Sequence, residues 1–188
     1  MTPRATSEEL VAVALAFIGD HSASVVDVGT GTGALAIAIA SAAPGAAVWA
    51  TDTSRYAVAV ARANVRRHGL SDRIVVRHAD LLDSVPSPID LVVANLPYLP
   101  IAEAACFPDL AAEPGEAVFA EGNGLEPYRR LLTACSNRLT AGGAVVIQLH
   151  RRVLTATRDE LPRLRSEVEA VQRAWRWPLE PQLAAATA

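Results

Sequence analysis

A glycine-rich turn carries residue types that can do chemistry in this chain. Residues 27–33 read Asp-Val-Gly-Thr-Gly-Thr-Gly and join a short β-branched run to an apolar helical run. Such a turn lets the backbone approach a ligand closely at the amino terminus of a helix. Gly29, Gly31 and Ala34 also satisfy the G-x-G-x-x-A dinucleotide pattern, so the glycines alone do not choose the cofactor.

Three aspartates stand close to the ends of predicted strands around this turn. Asp27 lies two residues before the first glycine, where its carboxylate can face an ammonium group. Asp52 ends the second predicted strand at a distance suited to ribose hydroxyls, and Asp80 follows the third, where it can accept a bond from an adenine amino group. Each aspartate taken singly fits helix or turn capping equally well. Their joint placement favours a nucleoside that also carries a methionine moiety, which is S-adenosylmethionine, over a nicotinamide cofactor.

A second candidate segment, Asn95-Leu96-Pro97-Tyr98, follows the fourth predicted strand. The side-chain oxygen of Asn95 and the backbone oxygen of Leu96 can accept both N–H bonds of a planar amide or aromatic amine. Tyr98 can stack on that planar group and offer its π face to positive charge. Positioning and electrostatics would then supply most of the catalysis, without a dedicated base. The alternative is a polar turn, in which Pro97 ends the strand and Asn95 bonds its own backbone.

The elements that must position these residues alternate between strand and helix. A first helix is predicted over residues 7–18. Strands are predicted at residues 24–28, 47–51, 73–78, 89–94 and 144–149, and helices at 35–43, 55–68 and 125–139. This alternation predicts an α/β fold with a doubly wound, mostly parallel, Rossmann-like sheet.

The length of 188 residues predicts a single domain, 1–188, whose core spans about residues 24–150. Residues 99–123 are predicted to form a loop over the active site because they carry prolines and acids with little periodicity. Residues 151–180 fit either a helix or a strand, and 181–188 form an alanine-rich tail.

Composition and charge disfavour several classes of partner. The formal net charge is −3 and arginine doublets alternate with acids, whereas proteins that follow a nucleic-acid backbone usually carry a positive stripe. The apolar stretch at residues 10–18 is too short to span a bilayer. The two cysteines and four histidines show no metal-ligand spacing. We therefore expect a cytoplasmic protein with no metal site and no membrane partner, and the charge disfavours a nucleic-acid partner.

The tetrapeptide at residues 95–98 resembles the N-P-P-Y type motif of amino-methyltransferases, with leucine in second place as in the rRNA adenine dimethyltransferases. More widely, residues 3–149 resemble the release-factor glutamine methyltransferase (HemK/PrmC-like) family, whose members are class I S-adenosylmethionine-dependent methyltransferases. Besides the glycine turn, the resemblance rests on Pro3-Arg4 with Ser7-Glu8 and Leu10-Val11, Asp52-Thr53-Ser54, Asp80-Leu81-Leu82, Glu113-Pro114 and residues 122–125.

The residues and the resemblance together imply three sets of site residues. The predicted cofactor-binding residues are Asp27, Gly29, Thr30, Gly31, Gly33, Asp52, Thr53, Asp80 and Leu81. The predicted catalytic residues are Asn95, Leu96, Pro97 and Tyr98. By the resemblance, Arg4 and Ser7 would lie near the mouth of the substrate site.

The main functional hypothesis is methyl transfer from S-adenosylmethionine to a planar nitrogen, with a glutamine-type amide of a protein or peptide as the favoured acceptor. The chain begins at the catalytic part of the family pattern, which keeps a small-molecule acceptor open. An N6-adenine-type nucleic-acid methyltransferase and a non-catalytic, cofactor-binding partner subunit are further alternatives. The final hairpin is expected to be shortened, and an incomplete sheet edge would favour a homodimer.

Overall fold

Strands and helices alternate along the part of the chain that the computed structural model describes, which is residues 5–102, 115–120 and 122–148. The helices are α1 (Ala5–Ile18), α2 (Ala34–Ala42), α3 (Arg55–Arg67) and α4 (Glu126–Cys135). The strands are β1 (Ala23–Val28), β2 (Ala46–Asp52), β3 (Ile74–His78), β4 (Ile89–Ala94), β5 (Leu99–Pro100), β6 (Phe119–Ala120) and β7 (Leu139–Ile147). Through β4 these bounds lie within two residues of the predicted ones.

Five strands form one parallel sheet in the order β3-β2-β1-β4-β7. The chain moves outward from β1 to β3 and then returns to the other side of β1 with β4. The predicted doubly wound, mostly parallel α/β fold is confirmed. In open sheets of this kind, ligands bind outside the carboxyl ends of the strands, at the point where the strand order reverses. That point lies between β1 and β4.

The register brings the candidate residues to this edge. Val28, the last residue of β1, pairs with Thr51 of β2 and with Ala94 of β4. The next residues along the chain after these three are Gly29, Asp52 and Asn95. All three therefore lie at the carboxyl ends of neighbouring strands.

The central strands are buried because both faces of the sheet are covered. In β1 and β4 every residue except the second is buried, the pattern expected of a parallel sheet with both faces packed. Helix α1 packs against α2, β4 and β7, while α2 and α3 pack against their neighbouring strands. Small residues such as Ala36 and Ala40 let α2 lie close in this core. The site therefore rests on a rigid scaffold.

The chain divides into two compact units. Of the described residues, the core unit comprises 5–95 and 138–148, and the loop unit comprises 96–102, 115–120 and 122–137. The described part of the loop unit contains β5 and β6, a short 3-10 helix at Gly115–Ala117, and α4.

The predictions of a helix over 125–139 and a strand over 144–149 are wrong at the end of the helix and at the start of the strand. Helix α4 ends at Cys135, where the Ser136 hydroxyl donates to the Thr133 carbonyl at 2.8 Å. Arg138 then bonds Val85 and Ser87 through its side chain, and its carbonyl accepts from the Ile89 N–H at 2.8 Å. These long-range bonds draw the chain into the sheet, so β7 begins five residues earlier than predicted.

The glycine pair Gly142-Gly143, a residue pair typical of turns, lies inside β7. Ile89 pairs with Leu139 and Leu91 pairs with Ala144, so five residue steps on β7 oppose two on β4. The glycines therefore belong to a bulge that lengthens the strand.

The prediction of an irregular loop over residues 99–123 is wrong at two short strands. Leu99 pairs with Phe119 and Pro100 with Ala120, in parallel. Residues 103–114, 121 and 149–188 lie outside the described residues, and with them the predictions for the C-terminal segment, the shortened sheet edge and the dimer. No helix among residues 5–102, 115–120 and 122–148 is long and apolar enough to cross a membrane.

Candidate functional site

The glycine turn is held by the end of the neighbouring strand β2. The N–H groups of Gly29 and Thr30 both donate to the carbonyl oxygen of Thr51, each at 2.9 Å. The N–H of Gly31 donates to Asp52 Oδ2, also at 2.9 Å. Three successive backbone groups of the turn are therefore fixed by two residues of one strand, which presents the turn in a defined conformation.

Asp27 is a fully buried carboxylate beneath this turn. Its Oδ2 accepts the Thr30 hydroxyl at 2.6 Å and the Ala36 N–H at 3.2 Å. Its Oδ1 is buried and has no hydrogen-bond partner among the described residues. A buried polar atom left in this state is costly and calls for an explanation such as a bound ligand.

The electrostatics of Asp27 follow from its burial. The pKa of Asp27 is raised from 3.8 to about 6, because desolvation by burial raises it more than the bonds from Thr30 and Ala36 lower it, and the charge of Asp52 raises it further. Because burial without a cation disfavours the charged form, a positive group beside Oδ1 would stabilise the carboxylate. The arrangement fits a ligand that carries an ammonium group.

Asp52 holds the turn and begins the next helix at the same time. Its Oδ1 accepts the Ser54 N–H at 2.8 Å, and Ser54 caps α3 by accepting the Ala57 N–H at 3.3 Å. The capping alternative for this aspartate is therefore seen in the structure. It does not compete with ribose binding, since each carboxylate oxygen has two lone pairs and Asp52 is partly exposed.

Asp80 and Leu81 lie in the turn directly after β3. Leu81 has a φ of 47°, which is unusual for a branched side chain. Its carbonyl accepts the hydroxyl of Thr51 at 2.7 Å, and Thr51 is completely buried. Sequence reasoning missed Thr51, which ties both the glycine turn and the Asp80-Leu81 turn to β2. Its only sequence signal is a hydroxyl in the apolar strand, directly before Asp52.

The remaining predicted cofactor residues differ in their surroundings. Gly33 is buried, and a Cβ placed on it would lie 3.3 Å from the Cβ of Ala61 on α3. Its close packing between helices accounts for the glycine. Thr53 is exposed, and its carbonyl lies 2.9 Å from Nε2 of His78.

Asn95 directly follows β4 and is half-buried at the carboxyl edge of the core unit. Leu96, Pro97 and Tyr98 belong to the loop unit. There the carbonyl oxygen of the buried Leu96 accepts the Tyr128 hydroxyl at 2.9 Å. Sequence reasoning missed Tyr128, whose helical position predicts burial but not a polar partner.

Two residues are predicted to contact the substrate, and no residue is predicted to bind a metal ion. Ser7 is half-buried in the first turns of α1, whereas Arg4 lies outside the described residues. Within residues 5–102, 115–120 and 122–148, no group of three or more histidine, cysteine, aspartate or glutamate side chains is placed to hold a metal ion.

A family model decides where this chain belongs. The methyltransferase small domain family matches residues 8–106, more than half of the chain. The chain belongs to this family. The matched region of this methyltransferase small domain contains all the predicted site residues from Asp27 to Tyr98.

Individual relatives agree with the family. A release factor glutamine methyltransferase from Gloeobacter violaceus is 40% identical over 153 residues, which are 79% of this chain and 54% of that protein. A ribosomal protein uL3 glutamine methyltransferase from Bordetella pertussis is 35% identical over 112 residues, 58% of this chain and 38% of that protein. The chain spans about half the length of the curated relatives it matches.

Solved structures show the same fold. The ribosomal protein L11 methylase from Lactobacillus delbrueckii subsp. bulgaricus superposes with a TM-score of 0.62 at 22% identity, covering 89% of this chain and 70% of that one. The expected resemblance to glutamine methyltransferases and the Rossmann-like methyltransferase fold are both confirmed.

Proposed function

We propose that this chain transfers a methyl group from S-adenosylmethionine to the side-chain amide nitrogen of a glutamine in a protein. Membership of a methyltransferase family supports the reaction type. The names of the relatives support the acceptor. The observation that carries the proposal is the buried Oδ1 of Asp27 at the carboxyl edge of the sheet, which has no partner among the described residues, because the cation that this cofactor brings would satisfy it.

The described residues fit the cofactor at three points. Asp27 Oδ1 would receive the ammonium group, since an ion pair also satisfies the orphaned oxygen. Asp52 would accept ribose hydroxyls with its remaining lone pairs, and Asp80 would accept the adenine amino group. A Cβ on Gly31 would meet no atom within 4 Å, so the space beside this turn admits a ligand close to the backbone. When bound, the sulfonium supplies an electrophilic methyl group.

Asn95 and Leu96 would bind the acceptor nitrogen. The lone pair of an amide nitrogen is delocalised, so an amide is a poor nucleophile. Two acceptor oxygens on its N–H groups draw electron density to the nitrogen and orient it toward the methyl group. The cofactor would supply its methyl group for a single displacement, in which the N–C bond would form as the S–C bond breaks and S-adenosylhomocysteine would leave. The nitrogen then loses one proton to solvent.

The proposal is tested by offering wild-type protein and labelled S-adenosylmethionine to four acceptors. These are a bacterial release factor, ribosomal protein uL3, free glutamine and an adenine-containing oligonucleotide. Label on a glutamine of either protein supports the proposal. Label only on free glutamine or only on the oligonucleotide would instead establish a small-molecule or nucleic-acid enzyme.

The pH dependence of cofactor binding gives a further prediction. Asp27 has a pKa of about 6 without ligand, so its ionised fraction falls as the pH drops from 7 to 5. We expect the Kd for S-adenosylmethionine to rise about tenfold over this range, because the ammonium loses its partner. Calorimetric titration at the two pH values measures this change. The same titration of Asp27→Asn should show no comparable rise, and a pH-independent wild-type Kd would contradict the assignment.

A further inference from the structure

The carbonyl of Leu96 is fixed from inside the loop unit. The hydroxyl of Tyr128 donates to it at 2.9 Å across 32 positions of sequence, and both groups are buried. Burial, and secondarily the neighbouring Tyr98, raise the pKa of Tyr128 well above its ordinary value. The phenol therefore stays protonated at neutral pH and can donate its hydrogen bond.

Helix α4 makes Tyr128 a rigid support. Tyr128, Leu131 and Cys135 are the buried residues of this helix, at spacings of three and four that place them on one face. The N–H groups of Tyr128 and Arg129 both donate to the Leu125 carbonyl at 3.0 Å. The ring is thus held by packing and by the first turn of the helix, which fixes the position of its hydroxyl.

A second contact holds the same segment. Gly124 is buried, and a Cβ on it would overlap the carbonyl oxygen of Tyr98. Gly124 also has a φ of 83°, a conformation that glycine adopts without strain. The backbone of the Gly-Asn-Gly-Leu segment at residues 122–125 therefore packs against the backbone of Tyr98, two residues after Leu96. This contact explains a motif to which the methyl-transfer chemistry assigns no role.

We propose that Tyr128 is a positioning residue for methyl transfer: with Gly124 it locks residues 96–98 so that the Leu96 carbonyl points one lone pair at the acceptor amide. A carbonyl oxygen has two lone pairs, and Tyr128 uses one of them. Hydrogen-bond strength falls steeply with angle, so a small rotation of this peptide unit weakens its hold on the amide. The inference rests on the proposed function, which makes Leu96 an acceptor of the substrate N–H.

Tyr128→Phe tests the inference because it removes the hydroxyl and keeps the ring. Hydrogen exchange, followed by mass spectrometry on the peptide that carries the Leu96, Tyr98 and Leu99 amides, should be about fivefold faster in the variant, since a net hydrogen bond is lost. In assays at a temperature where both proteins are folded, kcat for a glutamine acceptor should fall about tenfold or more. The Kd for S-adenosylmethionine should stay at the wild-type value. Tyr56→Phe is the matched control, because Tyr56 is 80% exposed on α3.

The outcomes separate this inference from the proposed function. If wild-type protein methylates no acceptor, the proposed function fails, and the exchange measurement alone decides whether Tyr128 locks the segment. If wild-type protein is active and Tyr128→Phe matches it in kcat, the positioning role is overturned. Loss of cofactor affinity together with kcat would also overturn it, since that pattern indicates a general structural role.

Discussion

Asp27→Asn is expected to bind S-adenosylmethionine about 100-fold more weakly than the wild type, because a buried ion pair loses its negative partner. Asparagine has the size of aspartate and keeps one oxygen for the Thr30 hydroxyl and the Ala36 N–H. The turn should therefore survive, and the loss should be confined to the cofactor. Calorimetric titration of both proteins at pH 7 measures the difference.

Asp27→Asn weakens cofactor binding, but it should make the protein more stable relative to the wild type as the pH rises. The folded-state pKa of Asp27 is raised to about 6 from 3.8, so the wild type without ligand loses stability as the pH rises from about 4 to 7. The asparagine does not titrate. The free energy of unfolding of Asp27→Asn relative to wild type should therefore increase by up to about 3 kcal/mol between pH 4 and pH 7.

Asp90→Asn is the matched control for both measurements. Asp90 is a half-buried carboxylate at the amino end of β4, where it accepts the Ser24 N–H at 2.8 Å and the Thr140 hydroxyl at 3.0 Å. It lies at the opposite edge of the sheet from the glycine turn. Its replacement should leave cofactor affinity unchanged. Wild-type affinity in folded Asp27→Asn would show that the ammonium lies elsewhere.

The second large effect is expected at Asn95. Asn95→Ala removes an oxygen that would hold the acceptor amide in the transition state, so kcat should fall about 100-fold or more. The Kd for S-adenosylmethionine should remain within about twofold, since the cofactor is held by the carboxylates and the glycine turn. Steady-state kinetics with a glutamine acceptor, together with calorimetry, separate the two quantities.

Asn137→Ala serves as the control for Asn95, because Asn137 is exposed at the junction after α4. It should change neither quantity. Retained turnover in Asn95→Ala with weakened cofactor binding would reverse the roles given to Asn95 and the carboxylates.

Local sequence signals predict the scaffold because the site follows strand ends. The sequence identifies β1 and α2 by a β-branched run, a glycine turn and an apolar helix. Because Asp27 lies only two residues before Gly29 in sequence, its carboxylate is predicted at the carboxyl edge of the sheet. The same reasoning locates Asn95, which follows an uninterrupted apolar strand. The site roles of these residues remain predictions, whereas the sheet that positions them is confirmed.

Long-range contacts account for what sequence could not supply. The orphaned oxygen of Asp27 depends on how many donors the folded chain brings to it, and Tyr128 finds its partner at Leu96, far away in sequence. The early start of β7 has the same origin. The spacing of apolar residues predicts that the helix continues to Leu139. The bonds of Arg138 to Val85 and Ile89 instead favour pairing in the sheet.

The central claim is tested most directly by tandem mass spectrometry of a release factor and of ribosomal protein uL3 after incubation with the wild-type chain and trideuteromethyl-labelled S-adenosylmethionine. We predict a labelled methyl group on the side-chain nitrogen of a glutamine, formed about 100-fold more slowly or slower still when Asn95→Ala replaces the wild type. Unlabelled acceptors in the presence of wild-type protein that binds the cofactor, or label on an atom other than an amide nitrogen, would contradict it.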